Sequence, residues 1–219
     1  MIEPLLLLLA GLLVILVIIA AGAYFVAQEF SYMAVDRTRL AAQAASGDAG
    51  AKRALAVTKR TSFMLSGAQL GITVTGLMVG YVAEPMVGQS LGLLLGGIGV
   101  PQTVGIAIGT TLTLVFATIV QMIFGELYPK NLAIADPEPM AKRLAASTQV
   151  YLSIFGWLIT FFDKSANLFL RLLRIEPVHD LDVSASAEDL PHIIADSRES
   201  GDLPVELSLM MDRILDFPH

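Results

Sequence analysis

The run from Leu5 to Phe30 carries no charge before Glu29 and exceeds the roughly 20 apolar residues that cross a bilayer as a helix. Nothing else in the chain narrows the possible folds as much. In hydrocarbon every backbone amide must find its partner within the segment, so a run of this length is a helix. Ser62 to Val82 and Thr103 to Leu127 read as two further spans, joined by a Gly-rich apolar linker, Met86 to Pro101, too short for another ordinary crossing. The chain is 55% hydrophobic and only 16% charged, against about 25% charged residues in soluble domains. A cleaved signal peptide is the competing reading of the first run. The basic leader is missing, Glu3 stands in its place, and the run outlasts a usual signal core, so the helix is expected to stay.

Basic residues orient the spans. Arg37, Arg39, Lys52, Arg53, Lys59 and Arg60 lie between the first two, whereas the next linker carries Glu84 and no Lys or Arg. The positive-inside rule then places the amino terminus outside and the chain after the third span, from Lys130, in the cytoplasm of an inner (plasma) membrane protein. A shorter apolar segment, Val150 to Phe162, has Lys142 and Arg143 before it and Lys164, Arg171 and Arg174 after it. Both flanks look cytoplasmic, which predicts a juxtamembrane helix at about 150–173 lying at the inner interface. A fourth span is the alternative, and it would put the tail outside. The fold class expected is an all-α membrane protein: three transmembrane helices and the interfacial helix within residues 1–175, then a small cytoplasmic acidic helical bundle over 176–219.

Function is concentrated in FGELYPKNLA, Phe124 to Ala133. Glu126 ends an apolar run, where a carboxylate is costly unless something binds it. Pro129 has no amide hydrogen to offer the Gly125 carbonyl four residues back, which predicts an opened turn with a backbone oxygen beside a carboxylate. Magnesium and similar hard cations take such oxygens. The chain has no cysteine, which removes thiolate sites and disulfides, and only His179, His192 and His219 offer imidazole. Ser66, Gln69, Thr73, Gly76 and Gly80 share one stripe of the second span, and Thr111, Thr118, Gln121 and Gly125 one of the third. Facing each other, the two stripes would line a pocket. The plainer account is packing, since Ser, Thr and small-xxx-small pairs such as Gly76/Gly80 and Gly105/Gly109 let membrane helices approach; packing does not call for Glu126. Glu29, after Gln28, either joins a site or pairs with Lys59 or Arg60.

Outside the spans, Arg37 to Ala45 and Ala51 to Val57 read as a cytoplasmic helical hairpin broken at Gly47, Asp48 and Gly50, its charges forming a solvated face toward lipid headgroups. The tail after Glu176 is rich in Asp and Glu and predicts helices at Ala187 to Ser200 and Pro204 to Leu215. Such a bundle would either attract cations by its field or serve as a solvated linker. No nucleophile sits beside a base, no Gly-rich loop cradles phosphate, and no basic surface suits nucleic acid, so neither an enzyme nor a nucleic-acid partner is expected.

The blocks AYFVAQEF, LSGAQLGIT and FGELYPKNLAIADPE, with the acidic tail ending ILDFP, resemble the cyclin M/CorC family of magnesium transporters over nearly the whole chain. The resemblance implies a homodimer of three-helix membrane domains, each girdled by a juxtamembrane helix, then an acidic helical bundle and a pair of CBS domains that bind ATP. It implies a dehydrated magnesium ion held by serine and asparagine oxygens, a glycine carbonyl and the signature glutamate, with export coupled to sodium. Carried over by position, Glu126, the Gly125 carbonyl and Ser66 match. The family's first-span serines are replaced by Val26 and Gln28 and its second-span asparagine by Ile72, leaving Gln28, Gln69 and Thr73 as replacement oxygens. The sequence ends at His219, before any CBS pair; the expectation is a piece of a longer protein, with ATP binding outside it. The function expected is a magnesium transporter; a cation-sensing membrane scaffold that signals through the tail is the alternative.

Overall fold

The computed structural model describes residues 2–96, 99–173, 194, 198 and 204–215. Two compact units divide the chain, residues 1–180 and 181–219. Among the described residues all regular structure is helical. The first unit contains α1 (Ile2–Ala34), α2 (Arg37–Ala45), α3 (Ala49–Thr58), α4 (Thr61–Val82), a π-helical stretch Ala83–Gly88, α5 (Gln89–Gly96), α6 (Gln102–Val120), a second π stretch Gln121–Leu127, α7 (Tyr128–Ala135) and α8 (Pro137–Leu172). The second unit contains α9 (Val205–Leu215), which meets the expected helix at 204–215. The other expected tail helix, 187–200, lies outside the described residues apart from Ile194 and Arg198.

Among the described residues, four helical stretches are long and apolar enough to cross a membrane: Glu3–Ala34, Thr61–Gly96, Gln102–Ala135 and Pro137–Leu172. Only 22–25% of the apolar window of each is buried within the protein, so most of that surface faces outward, as spans in lipid require. Leu6, Leu13, Val17, Leu112, Phe116 and Trp157 are among the exposed large apolar side chains.

Two expectations need correction. The linker after α4 is helical as far as Gly96, so α4, the π stretch and α5 continue without a break. Pro85 removes one amide from this stretch, and the wider π turn absorbs the loss. α5 then folds against α6 through paired glycines. A Cβ on Gly105 would lie 3.1 Å from the Gly92 Cα, and one on Gly109 3.2 Å from the Gly88 carbonyl oxygen. Gly105/Gly109 is therefore a small-xxx-small pair spent inside the chain, whereas Gly80 has nothing within 4 Å of its Cβ position. The second correction concerns Val150–Phe162, which is the middle of α8, 36 residues long. No charged residue interrupts Leu144 to Phe162, so α8 joins the three expected spans as a fourth candidate by length and composition.

Below the spans, the hairpin forms as its sequence predicts. Asp36 caps α2 through the Thr38 and Arg39 amides, and Asp48 caps α3 through those of Gly50 and Ala51. Gly47 between them has φ of 100°, a conformation that favours glycine. Leu40, Ala51, Ala54 and Val57 bury against Tyr32, Met64, Ala141 and Ala145, so the hairpin locks α1, α4 and α8 together at this end.

Its charges are not simply solvated. Lys142 of α8 donates to Gln43 Oε1 at 2.9 Å, Asp48 Oδ2 at 3.2 Å and Glu138 Oε1 at 3.4 Å. Arg39 pairs with Glu138 at 3.0 Å, and Gln43 Nε2 donates to Glu138 Oε1. Lys52 and Arg53 do face outward.

Two outcomes follow from this packing. Gly92→Val would drive a Cβ to 2.9 Å from the Ile106 amide nitrogen; we expect a loss of about 1–3 kcal/mol, typical of overpacking, read as a lower melting temperature in detergent. The Ala51 amide, then Lys142, holds the Asp48 carboxyl below the usual carboxylate range. Its stabilisation is thus complete above the unfolded value of about 3.9 and fades as pH falls through the lower folded value. Asp48→Asn keeps a cap acceptor but should flatten the acid side of a melting-temperature profile between about pH 5 and pH 3.

Candidate functional site

The third long helix widens where the signature begins. From Gln121 to Leu127 it is π-helical, and Pro129 then sits in the first turn of α7. The expected break is therefore a local widening: with no amide at residue 129, the turn takes in an extra residue and the helix continues. π turns are rare and gather at functional sites. Here the widened turn brings Gln121, Gly125 and Glu126 together on a small cavity shared with α1 and α4.

That cavity is lined by Ile18, Ile19, Gly22 and Val26 of α1, by Ile72, Thr75 and Val79 of α4, and by the three residues of the widened turn. It has about 10 Å³ of water-sized space, near the minimum for a single water molecule. A dehydrated ion fits that scale; a magnesium ion with its full water shell does not. Gly125 is buried, and a Cβ there would come within 3.4 Å of Ile19 Cγ2. At Gly22 a Cβ would come within 3.2 Å of Thr75 Oγ1. Both glycines therefore keep the helices close around the cavity.

The polar donors are oxygen-rich: the Glu126 carboxylate, the Gln121 carboxamide and the Thr75 hydroxyl. Thr75 donates back to the Gly71 or Ile72 carbonyl at 2.8 or 3.0 Å, which leaves its oxygen lone pairs for a guest. Glu126 lines the cavity and is also exposed. Among the described residues no ion pair or hydrogen bond engages its carboxylate. A carboxylate left unpaired in a helix apolar enough to cross a membrane is costly and marks a candidate functional position.

The other residues singled out from sequence are placed elsewhere. Ser66 donates to Asp163 Oδ1 at 3.3 Å, and Gln69 donates to Glu29 Oε1 at 2.6 Å. Glu29 is thus engaged by Gln69 and not by Lys59 or Arg60. Thr73 is exposed, as are Thr111 and Thr118. The face of α4 that meets the cavity is the stripe of Ile72, Thr75 and Val79, one step round the helix from the stripe of Ser66, Gln69 and Thr73.

Gln28 is different again. It is fully buried, its Nε2 and Oε1 have no protein partner, and it does not line the cavity, although Val26 does. One turn before it Tyr24 donates to Ser147, and one turn after it Tyr32 donates to the Ala141 carbonyl. Gln28 therefore lies on the stripe of α1 that meets α8.

Sequence reading passed over Thr75 altogether and placed Gln121 on a stripe without assigning it a role. Thr75 escaped because it lies off the run of small and polar residues. Its spacing of three from Ile72 was the available signal.

With this geometry in place, comparison with known proteins identifies the family. The model of the cyclin M transmembrane N-terminal domain matches residues 12–206, and the chain belongs to that family. Among its relatives, the uncharacterized protein Rv1841c of Mycobacterium tuberculosis is 36% identical over 94% of this chain and 59% of its own length. A UPF0053 protein, MT1890, from another strain of that species is 35% identical over 95% of the chain and 46% of its own length. More distantly, the polyamine export protein of Haemophilus influenzae is 23% identical over 94% of the chain and 47% of its own length. The chain spans about half the length of the curated relatives it matches.

The cavity generates a contrast between two variants. Gly22→Leu should fill it and remove divalent-cation binding, measured by titration of the purified protein. Thr73→Val, which faces away, should leave affinity within about twofold, as for surface changes of up to 0.5 kcal/mol.

Proposed function

We propose that this chain is the membrane-embedded part of a divalent-cation transporter whose cargo is magnesium, exported in exchange for sodium. The single observation that supports this most is Glu126: an unpaired carboxylate on a widened turn of a membrane-crossing helix, beside a cavity sized for one bare ion. Glu126 would neutralise the cation, with Gln121, Thr75 and the Gly125 carbonyl completing an oxygen shell. Hard oxygen donors suit magnesium, which demands near-octahedral geometry and gives up water reluctantly. The shell must therefore be closed by further oxygens, from retained water or from the second copy of a homodimer. Ser66, Gln69, Thr73 and Gln28 remain candidates for stations along the path rather than around this cavity.

In this cycle the ion enters from the cytoplasmic side of an inner membrane, the side that the positive-inside rule favours for the basic α2–α3 hairpin, with the amino terminus at the outer face. Shifts of α4 and of α6 with its π stretch would then open the opposite side. ATP would act through a CBS pair that lies outside this chain.

The name of the Haemophilus relative brings a polyamine into view as another cargo. A cavity for one water-sized guest favours an ion over a chain of methylenes and amines. A non-transporting cation sensor is the remaining alternative, and flux separates it from a transporter.

The deciding experiment pairs binding with transport. Magnesium should bind wild-type protein, and Glu126→Gln should weaken that binding by more than the roughly 10–100-fold that loss of even an outer ligand partner costs. In vesicles carrying the full-length protein the same variant should abolish magnesium flux. Equal affinity in both proteins would remove Glu126 from the site; binding without flux would favour the sensor; polyamine flux without magnesium flux would overturn the choice of cargo.

A further inference from the structure

Lys130 lies four residues after Glu126, the spacing at which a glutamate and a lysine on a regular helix form a pair. They do not pair here. The widened turn at Gln121–Leu127 ends between them, and α7, which carries Lys130, packs on α1. The Lys130 ammonium lies over the Phe30 ring, 4.9 Å from its centroid. Lys130 and Phe30 are both half-buried. An ammonium within about 6 Å of an aromatic face is held by the ring's quadrupole. A lysine is also a compact charge on a flexible four-carbon stem, able to reach more than one partner.

We propose that Lys130 is a resident competitor for the Glu126 carboxylate, parked on Phe30 while the site is open to cargo. Resting on the reading of Glu126 as the cation's ligand, this assigns Phe30 a positioning role: its ring withholds the one tethered cation that spacing would otherwise deliver to the site. Cargo and Lys130 carry the same sign and seek the same acceptor, so occupancy by one excludes the other. When cargo leaves, the same lysine stands ready to neutralise the carboxylate it vacates. Affinity for the ion is then set partly by how firmly the ring holds the ammonium.

The test is a double-mutant cycle, with the purified protein in lipid nanodiscs titrated with magnesium alone. Phe30→Leu should weaken binding by at least about twofold to fivefold, the lower end of what an ammonium–ring contact supplies, and Phe30→Tyr, which keeps the ring, should bind as wild type does. Lys130→Met should bind no more weakly than wild type. In the Lys130→Met background Phe30→Leu should have no further effect, a coupling that a merely structural phenylalanine would not produce. Should Phe30→Leu fail to fold, Phe30→Met supplies a flexible side chain of similar bulk for the same cycle. Equal weakening with and without the lysine, no weakening in either background, or weaker binding by Lys130→Met alone would each overturn the proposal. Absence of magnesium binding by wild-type protein would instead overturn the assignment of the site, and the role of Lys130 with it.

Discussion

Among the described residues the carboxylate of Glu126 has no counter-charge, on a helix apolar enough to cross the bilayer, and the surrounding architecture makes sense around that cost. Leaving a charge unpaired among hydrocarbon-facing residues is unfavourable by several kcal/mol on insertion scales. It persists only where solvent, a partner or a cargo ion takes it up. The widened turn, the two glycines that bring α4 and the widened turn close to α1, and the lysine turned away onto an aromatic ring all leave the acid available. Each of these features alone has a packing explanation. Together they converge on one small cavity with largely apolar walls, into which Glu126, Gln121 and Thr75 bring the polar side chains.

Two different kinds of packing frame the site. Toward one end, the α2–α3 hairpin buries a conventional aliphatic core against α1, α4 and α8, reinforced by Lys142 and its carboxylate partners. Within the spans, contact relies on close approach at glycine: Phe25 lies over Gly71, and Gly88 and Gly92 meet Gly105 and Gly109. Between lipid-immersed helices there is little hydrophobic gain to drive association, so shape and close contact must supply it. A hairpin clamp joined to helices held by close contacts at glycine suits the shift of spans that the proposed transport cycle would require.

Much of this was legible in the sequence. Charge-free runs marked α1, α4 and the third span, alanine-rich runs either side of the break at Gly47, Asp48 and Gly50 marked the hairpin to within two residues, and Pro129 announced irregular backbone beside Glu126. What was not legible has physical reasons. A proline can break a helix or widen it, and the choice depends on whether neighbouring helices hold both halves in line, a tertiary effect. The α5–α6 hairpin was missed because a short Gly-rich apolar stretch reads equally as a loop or as a closely packed helix. Assigning Gln69 and Thr73 to the pocket assumed that the polar stripe faces inward. In lipid that inference is weak, because Ile72 and Val79 serve as cavity wall as readily as polar residues do, and Thr75, lying among them, brings the hydroxyl of α4 to the cavity.

The central claim is that a bare divalent ion sits against Glu126 in the widened turn. The most direct measurement is a structure of the protein with manganese in place of magnesium, read by anomalous scattering. A peak within bonding distance of a Glu126 carboxylate oxygen, with oxygen from Gln121, Thr75 or the Gly125 carbonyl around it, is the predicted result. A peak lodged instead at Gln28 or Asp163, or an ion-free cavity at saturating manganese, would contradict the account.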